Sequence, residues 1–342
     1  MRVEIKKQTF QFKRPSGTSR GILTQKESWF IRIIKNQKIG IGESSLIEGL
    51  SFDAKPHFEK RLNQFAQDFC SNQKLSNLNE WPSIQMGFET ALLSLKAPQW
   101  WEMYPSAFSK GKASIPINGL VWMGSREFMK DQIKELLNKG FRCVKLKIGA
   151  LNFEEELNIL RYIRKDFSEQ NLTIRLDANG AFPIVNALDK LQELSAFNIH
   201  SIEQPIAPSQ WEEMASLCEQ SPIDIALDEE LIGVFDHQKK EVMLDQIKPQ
   251  FIILKPSLIG GFQVAEKWIS MANERKIGWW ITSALESNIG LNAIAQWTYS
   301  LNAEGHQGLG TGSLFTNNIN LPLNVSDGYL FIDEKKPWHF NL

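Results

Sequence analysis

The amino-acid sequence predicts an α/β fold, a parallel (β/α)8-type barrel preceded by a small α+β domain. Two observations carry this. Short β-branched runs recur roughly every 25 to 30 residues with helix-length amphipathic stretches between them, the rhythm of parallel βαβ units. Before Pro105–Ile115 that rhythm is absent, and strands come first and helices after, the order of an α+β unit.

Within residues 1–50, Trp29-Phe30-Ile31-Arg32-Ile33-Ile34 is a strand candidate, and Lys38–Gly42 reads as a turn leading into Glu43-Ser44-Ser45. Residues 56–98 read as helical, with Phe65, Phe69, Met86 and Leu92 spaced among polar residues. From Ser114 the apolar runs are Ile115–Val121, Arg142–Ile148, Thr173–Asp177, Ile199–Glu203, Ile223–Asp228, Phe251–Lys255 and Gly278–Thr282, with a weak eighth near Gly308–Gly312. One helical pattern starts at Ser125, carries Phe128, Ile133, Leu136 and Leu137, and stops at Gly140. Serine and glycine are the residue types that start and stop helices. Another pattern carries Phe153, Leu157, Leu160 and Ile163, and a later one Val264, Trp268 and Met271. Eight such strands close on themselves as a barrel. A doubly wound open sheet is the alternative on rhythm alone. The pattern ends near Phe315.

Composition narrows the function classes. A 342-residue chain with 42% hydrophobic and 23% charged residues can bury a sizeable core. Its 38 Lys plus Arg against 39 Asp plus Glu give no electrostatic case for nucleic acid or a membrane surface. Cys70, Cys143 and Cys218 are scattered and form no metal or disulfide spacing, as expected of free thiols in a reducing compartment. With no signal-peptide pattern at Met1–Lys7 and no bilayer-length apolar run, the expected location is cytoplasmic. The expected partner is a small-molecule carboxylate, with a homo-oligomer left open.

The strand ends carry an unusual set of charges. The runs finish Lys145-Leu146-Lys147, Asp177-Ala178-Asn179, Glu203-Gln204-Pro205, Asp228-Glu229-Glu230 and Lys255-Pro256. In a parallel barrel these C-terminal ends meet at one face, where ligand-binding loops gather. Alternate residues share a side of a strand, so Lys145 and Lys147 point the same way. A single strand-end charge reaching solvent would be unremarkable, but five successive strands ending Lys, Asp, Glu, Asp, Lys are not. Three carboxylates suit Mg²⁺, which prefers hard oxygen ligands. No histidine joins them, since His200 stands at the wrong end of its run, and this disfavours zinc. Such a site can stabilise the charge that develops when a proton is removed next to a carboxylate. A lysine serves as the base where burial and a neighbouring cation favour its neutral form, and Lys145 is such a neighbour for Lys147.

These strand-end motifs resemble those of the muconate-lactonizing subgroup of the enolase superfamily, over nearly the whole chain. The resemblance implies a modified TIM (β/α)8-type barrel over residues 111–314 and an α+β N-terminal capping domain over 1–110, to which 315–342 returns. Gly17-Thr18-Ser19-Arg20-Gly21, Gly42-Glu43-Ser44, Thr282–Ser287 and Gly308–Gly312 are further similar to a dehydratase family of menaquinone biosynthesis. That family aromatises a succinyl-hydroxycyclohexadiene carboxylate by α-proton abstraction and hydroxide loss.

The resemblance implies Asp177, Glu203 and Asp228 as ligands of Mg²⁺, with Mn²⁺ as the alternative ion. Glu230 shares the facing of Asp228 and competes for the third place. Lys147 would be the base and then the acid that helps hydroxide leave. Lys145 would hold a carboxylate oxygen, and Lys255 would stabilise the enediolate from the opposite face. Asn179 and Glu229 would support the ligands from behind. Pro15–Gly21 resembles a loop that closes over substrate, with Arg20 as a substrate contact, although a plain surface hairpin reads the same. Thr282, Ser283, Gly310, Thr311 and Gly312 would face substrate carboxylates, or form an ordinary glycine-rich turn. The rival readings are an N-succinylamino acid racemase or dipeptide epimerase using both opposed lysines, and a non-catalytic metal-binding barrel. Gly310-Thr311-Gly312, standing where dipeptide epimerases carry Asp-x-Asp, counts against the epimerase.

Overall fold

A computed structural model of the chain describes residues 1–18, 21–72, 74 and 78–340. Arg20 and Ser19 of the expected capping loop therefore lie outside the described residues.

The N-terminal part is an antiparallel sheet of β1 (Arg2–Thr18), β2 (Gly21–Lys35) and β3 (Lys38–Ser45), covered by α1 (Phe58–Asn72) and α2 (Pro82–Lys96). Trp29, Ile31 and Ile33 of β2 alternate onto one face and pack with Phe58, Leu62, Phe65 and Phe88 of the helices. The expected turn at Lys38–Gly42 is instead strand. The turn is at Asn36 and Gln37, both with positive φ (49° and 65°). The glycines that suggested a turn serve close packing, because a Cβ at Gly42 would stand 2.0 Å from the carbonyl oxygen of Gly87 in α2.

The next part begins with β4 (Ser114–Pro116) and β5 (Gly119–Val121), so the single run expected at Ile115–Val121 is two strands. Pro116 has no N–H to continue a ladder. β4 pairs with the C-terminal strand pair, and only β5 enters the barrel. There follow α3 (Arg126–Asn138), β6 (Cys143–Lys147), α4 (Phe153–Asp166), β7 (Thr173–Asp177), α5 (Ile184–Ser195) and β8 (Ser201–Glu203). The series continues with α6 (Trp211–Gln220), β9 (Ile225–Leu227), α7 (His237–Ile247), β10 (Phe251–Leu254) and α8 (Pro256–Ile259). It ends with α9 (Phe262–Glu274), β11 (Gly278–Ile281) and α10 (Asn288–Ser300). Ser125 caps α3 by accepting from Phe128 N, and Gly140 beyond it has φ of 76°, as its sequence pattern required.

The strands run in sequence order, β5 through β11, in one parallel sheet. A doubly wound sheet would reverse that order at a switch point. The weak eighth strand is reduced to bridges at Gln307 and Gly308, which join Ile117 on one side and Thr282 on the other and close the barrel. Gly310–Ser313 is a 3₁₀ turn rather than strand. Arg175, two residues before Asp177 on β7, is 6% exposed; its guanidinium lies 4.0 Å from the Trp280 ring centroid and donates to His306 O.

Two carboxylates of the N-terminal part tie it to the barrel by capping barrel helices. Glu43 accepts from Ser287 N and Gly290 N at the start of α10, each at 2.9 Å, and Glu89 accepts from Phe262 N (2.8 Å) and Gln263 N (3.1 Å) at the start of α9. The chain end adds a hairpin of β12 (Leu323–Ser326) and β13 (Tyr329–Ile332) beside β4. Beyond it Trp338 stacks on Trp101 with centroids 4.6 Å apart, and Phe340 packs on Phe30. Among the described residues no helix is long and apolar enough to cross a membrane.

Candidate active site

Strand register lines up the charged residues. Lys147 pairs with Asp177 across β6 and β7, and Asp177 with Glu203 across β7 and β8, so these side chains emerge in one row. Asp228 follows β9 and Lys255 follows β10, extending the row around the mouth. All are buried: Asp177 is 0% exposed, Glu203 and Asp228 2%, and Lys145, Lys147 and Lys255 below 10%. Buried charges survive only when paired.

The pairing is dense. Lys145 Nζ donates to Asp177 Oδ2 (2.8 Å) and Glu203 Oε2 (2.7 Å). Lys147 Nζ donates to the same Asp177 oxygen (2.9 Å) and to Asn179 Oδ1 (2.7 Å), and lies 6.0 Å from the Trp122 ring centroid. Lys255 Nζ donates to Asp228 and stands 3.5 Å from Glu203 Oε1. Asn179 Nδ2 donates to Glu229 Oε1 (2.9 Å), which fixes the amide so that its oxygen faces Lys147. Asn179 and Gln204, immediately beyond the carboxylate strands, have φ of 45° and 41°. Backbone held in that region by non-glycine residues gathers at functional sites.

Electrostatics separates the carboxylates. Burial works to raise the carboxyl of Asp177, but the ammoniums of Lys145, Lys147 and Lys255 hold it well below the usual carboxylate range. Burial and Asp177 oppose ionisation of Glu203, yet Lys145 and Lys255 keep it low as well. Burial raises Asp228 well above its ordinary value, and Glu229 and Glu203 add to this against Lys255. Burial likewise opposes the charge on Lys145, but Asp177, Glu203 and Asp228 hold its ammonium above the ordinary lysine range.

The donor set fits a divalent ion. Glu203 Oε1 is buried without a hydrogen-bond partner, and the Lys255 ammonium pairs with both Glu203 and Asp228, which draws these two carboxylates together. A pair of acids driven together in this way is where a cation would relieve the repulsion. Among the described residues no group of three acids, histidines or cysteines is already arranged as a metal cage. Here the lysine amines stand between the carboxylates and neutralise them. Glu230 does not compete for this place, because it accepts from Ser209 N (2.8 Å), Trp211 Nε1 (2.7 Å) and Gln204 Nε2 (3.1 Å).

These groups open into a 640 Å³ cavity lined by Lys145, Lys147, Asn179 and Lys255 on the strand side. Thr282, Ser283, Gly310, Thr311 and Gly312 line it too, on the side of Lys255, because β11 pairs with β10. Thr282 Oγ1 is buried without a partner there, while Ser283 Oγ and Thr311 Oγ1 are 2.7 Å apart. Glu229 stands behind Asn179, away from the cavity lining. Sequence reasoning missed Trp122, Phe128 and Leu136, which give the cavity an apolar arm. Nothing in their spacing separates them from ordinary core residues.

Comparison with known proteins gives the family and the fold. Residues 128–337 match the enolase C-terminal domain-like family. The chain is 46% identical to the o-succinylbenzoate synthase of Desulfotalea psychrophila, over 96% of this chain and 98% of that protein. The crystal structure of MenC from Desulfotalea psychrophila superposes with a TM-score of 0.86 at 43% identity, covering 97% of this chain and 99% of that one. Muconate lactonizing enzyme from Pseudomonas putida shares the fold, with a TM-score of 0.80 at 21% identity over 97% of this chain and 94% of its own. The chain belongs to the enolase superfamily and, within it, to the o-succinylbenzoate synthase family.

Proposed function

We propose that this chain is a Mg²⁺-dependent carbon–oxygen lyase that forms o-succinylbenzoate from 2-succinyl-6-hydroxy-2,4-cyclohexadiene-1-carboxylate, a dehydration of menaquinone biosynthesis. The observation that carries it is the buried row of three carboxylates held by lysines of opposite barrel walls, with Lys145, Lys147 and Lys255 facing one cavity. The 46% identity to a curated o-succinylbenzoate synthase supports the choice of reaction. Enzymes of this superfamily typically depend on a divalent metal ion. We assign Asp177, Glu203 and Asp228 as its ligands. When bound, the ion supplies positive charge where the substrate carboxylate becomes an enediolate.

The protein's own groups do the rest. Lys147, anchored at Asn179 Oδ1, takes the proton from the ring carbon bearing the carboxylate. The electron pair of that C–H bond moves into the enediolate. Its return forms the new ring double bond as hydroxide leaves the adjacent carbon, carrying the proton from Lys147 away as water. Lys145 counters the ligand charge, and Lys255, across the cavity, faces the delocalised anion. Thr282 Oγ1 and the backbone at 310–312 receive the second carboxylate. The division into a cap of residues 1–110, a barrel of 111–314 and a returning segment 315–342 belongs to this reading. So does a cytoplasmic location, in keeping with three free cysteines.

The test is direct. Purified protein with Mg²⁺ is expected to convert the cyclohexadiene to the aromatic product, to stop on chelation and to recover on adding the ion back. An N-succinyl amino acid in heavy water is run alongside. Exchange at its α-carbon without any dehydration would replace the lyase by the racemase.

A further inference from the structure

Behind the cavity wall lies a buried charged group that the reaction does not use. Glu286, 0% exposed, accepts from Ser257 Oγ (2.5 Å) and Ser283 Oγ (2.7 Å). Ser257 is two residues past Lys255, in the helical turn that follows it, and Ser283 lines the cavity. The charged groups facing Glu286 are Lys26 of β2 and Glu43 of β3, both from the cap. Lys26 is 6% exposed and donates to the hydroxyls of Ser28 and Ser45. A buried ammonium resting on hydroxyls needs a carboxylate near it.

We infer that Glu286, with Lys26 of the cap facing it, is a positioning residue that sets both the turn carrying Lys255 and the proton direction of the Ser283–Thr311 wall. The inference rests on the site assignment above and extends it. The proton direction follows by counting. Ser283 spends its only O–H proton on Glu286, so the short contact with Thr311 must be a bond that Thr311 donates. Leu285 N also donates to Ser283 Oγ at 3.1 Å, as an accepting oxygen requires. Thr311 then turns only lone pairs to the cavity. A ligand carboxylate at this wall is therefore held by backbone N–H groups and by Thr282, not by Ser283 or Thr311. Burial raises the Glu286 carboxyl against the Ser257 and Ser283 hydroxyls and Lys26, and it lowers the Lys26 amine against Glu43 and Glu286. The cap, which lines the cavity with Ser16, Leu23 and Leu50, thereby also takes part in shaping the wall of Ser283 and Thr311.

The experiment compares wild type, Lys26→Met, Lys26→Arg, Glu286→Gln and the Lys26→Met/Glu286→Gln double variant in the dehydration assay with Mg²⁺. Folding is checked by circular dichroism and Mg²⁺ affinity by calorimetry. Glu286→Gln is expected to lose about tenfold or more in kcat/KM with unchanged Mg²⁺ affinity, since an amide cannot accept from both hydroxyls. Lys26→Met is expected to lose a similar factor near neutral pH and regain it as pH rises and Glu286 ionises. Lys26→Arg should keep the wild-type profile, and the double variant should lack the pH-dependent recovery. Glu286→Gln within twofold of wild type would overturn the inference, as would a folded Lys26→Met whose profile follows wild type. If Lys26→Met does not fold, Glu286→Gln alone decides. Failure of wild type to bind Mg²⁺, by contrast, would sink the site assignment itself.

Discussion

Replacing Lys147 by alanine removes the proposed base while leaving most of the site standing. Asp177 loses one ammonium but keeps Lys145 at 2.8 Å, and Asn179 keeps its bond to Glu229 at 2.9 Å. The wall should hold its shape, and stability should change little. The charge count predicts the metal's behaviour. Asp177, Glu203 and Asp228 are opposed by three buried lysines in the native chain and by two in the variant. A divalent ion should therefore bind at least as tightly as before. Catalysis should not survive so well. Loss of a positioned general base costs at least about a hundredfold, or about 2.7 kcal/mol of barrier at 1.36 kcal/mol per decade. The assay follows loss of the cyclohexadiene absorbance at saturating Mg²⁺, beside a calorimetric titration of the ion. A Lys147→Ala protein with intact metal binding and turnover within tenfold of wild type would remove Lys147 from the proton transfer.

Three further outcomes follow from particular contacts. A Cβ on Gly308 would stand 2.4 Å from Thr282 Oγ1 and 2.9 Å from Thr282 Cβ, so rotating the side chain does not clear it. Gly308→Ala should cost roughly 1–3 kcal/mol in urea unfolding and raise KM through the displaced Thr282. Ser287→Ala removes the α10 cap on Ile289 N and the hydroxyl bonded to Glu43, and should lower stability by about 1–2 kcal/mol with the ion site unchanged. Burial raises the Asp53 carboxyl from 3.8 to about 6 even though Ser83 donates to it twice. The folded state then binds more protons than the unfolded one between those values, so Asp53 costs stability progressively as pH rises from about 4 to about 6. Asp53→Asn should flatten that part of the stability profile relative to wild type, as read by urea midpoints across the range.

Much of this protein could be read from the chain because its chemistry sits at strand ends. A lysine or acid that terminates a β-branched run is conspicuous, and parallel strands bring such termini together whatever the loops do. The helix from Ser125 to Gly140 was legible for the same local reason, since both cap residues act within one turn. Gly40 and Gly42 misled because glycine marks turns and close packing alike, and only the helix lying across β3 distinguishes them. The split at Pro116 was equally hidden, because β4 takes its partner from residues 329–331, more than two hundred positions away.

From the sequence alone came the order of strands, the charged row and the kind of ion it suits, all properties of near neighbours along the chain. Tertiary structure decided which oxygen is left over and which is spent. Glu203 Oε1 lacks a hydrogen-bond partner, Glu230 is taken up by Trp211 and Ser209, and Ser283 gives its proton to Glu286. Each of these is a competition among groups from different elements for a limited number of donors, and its result depends on distances the linear order does not contain.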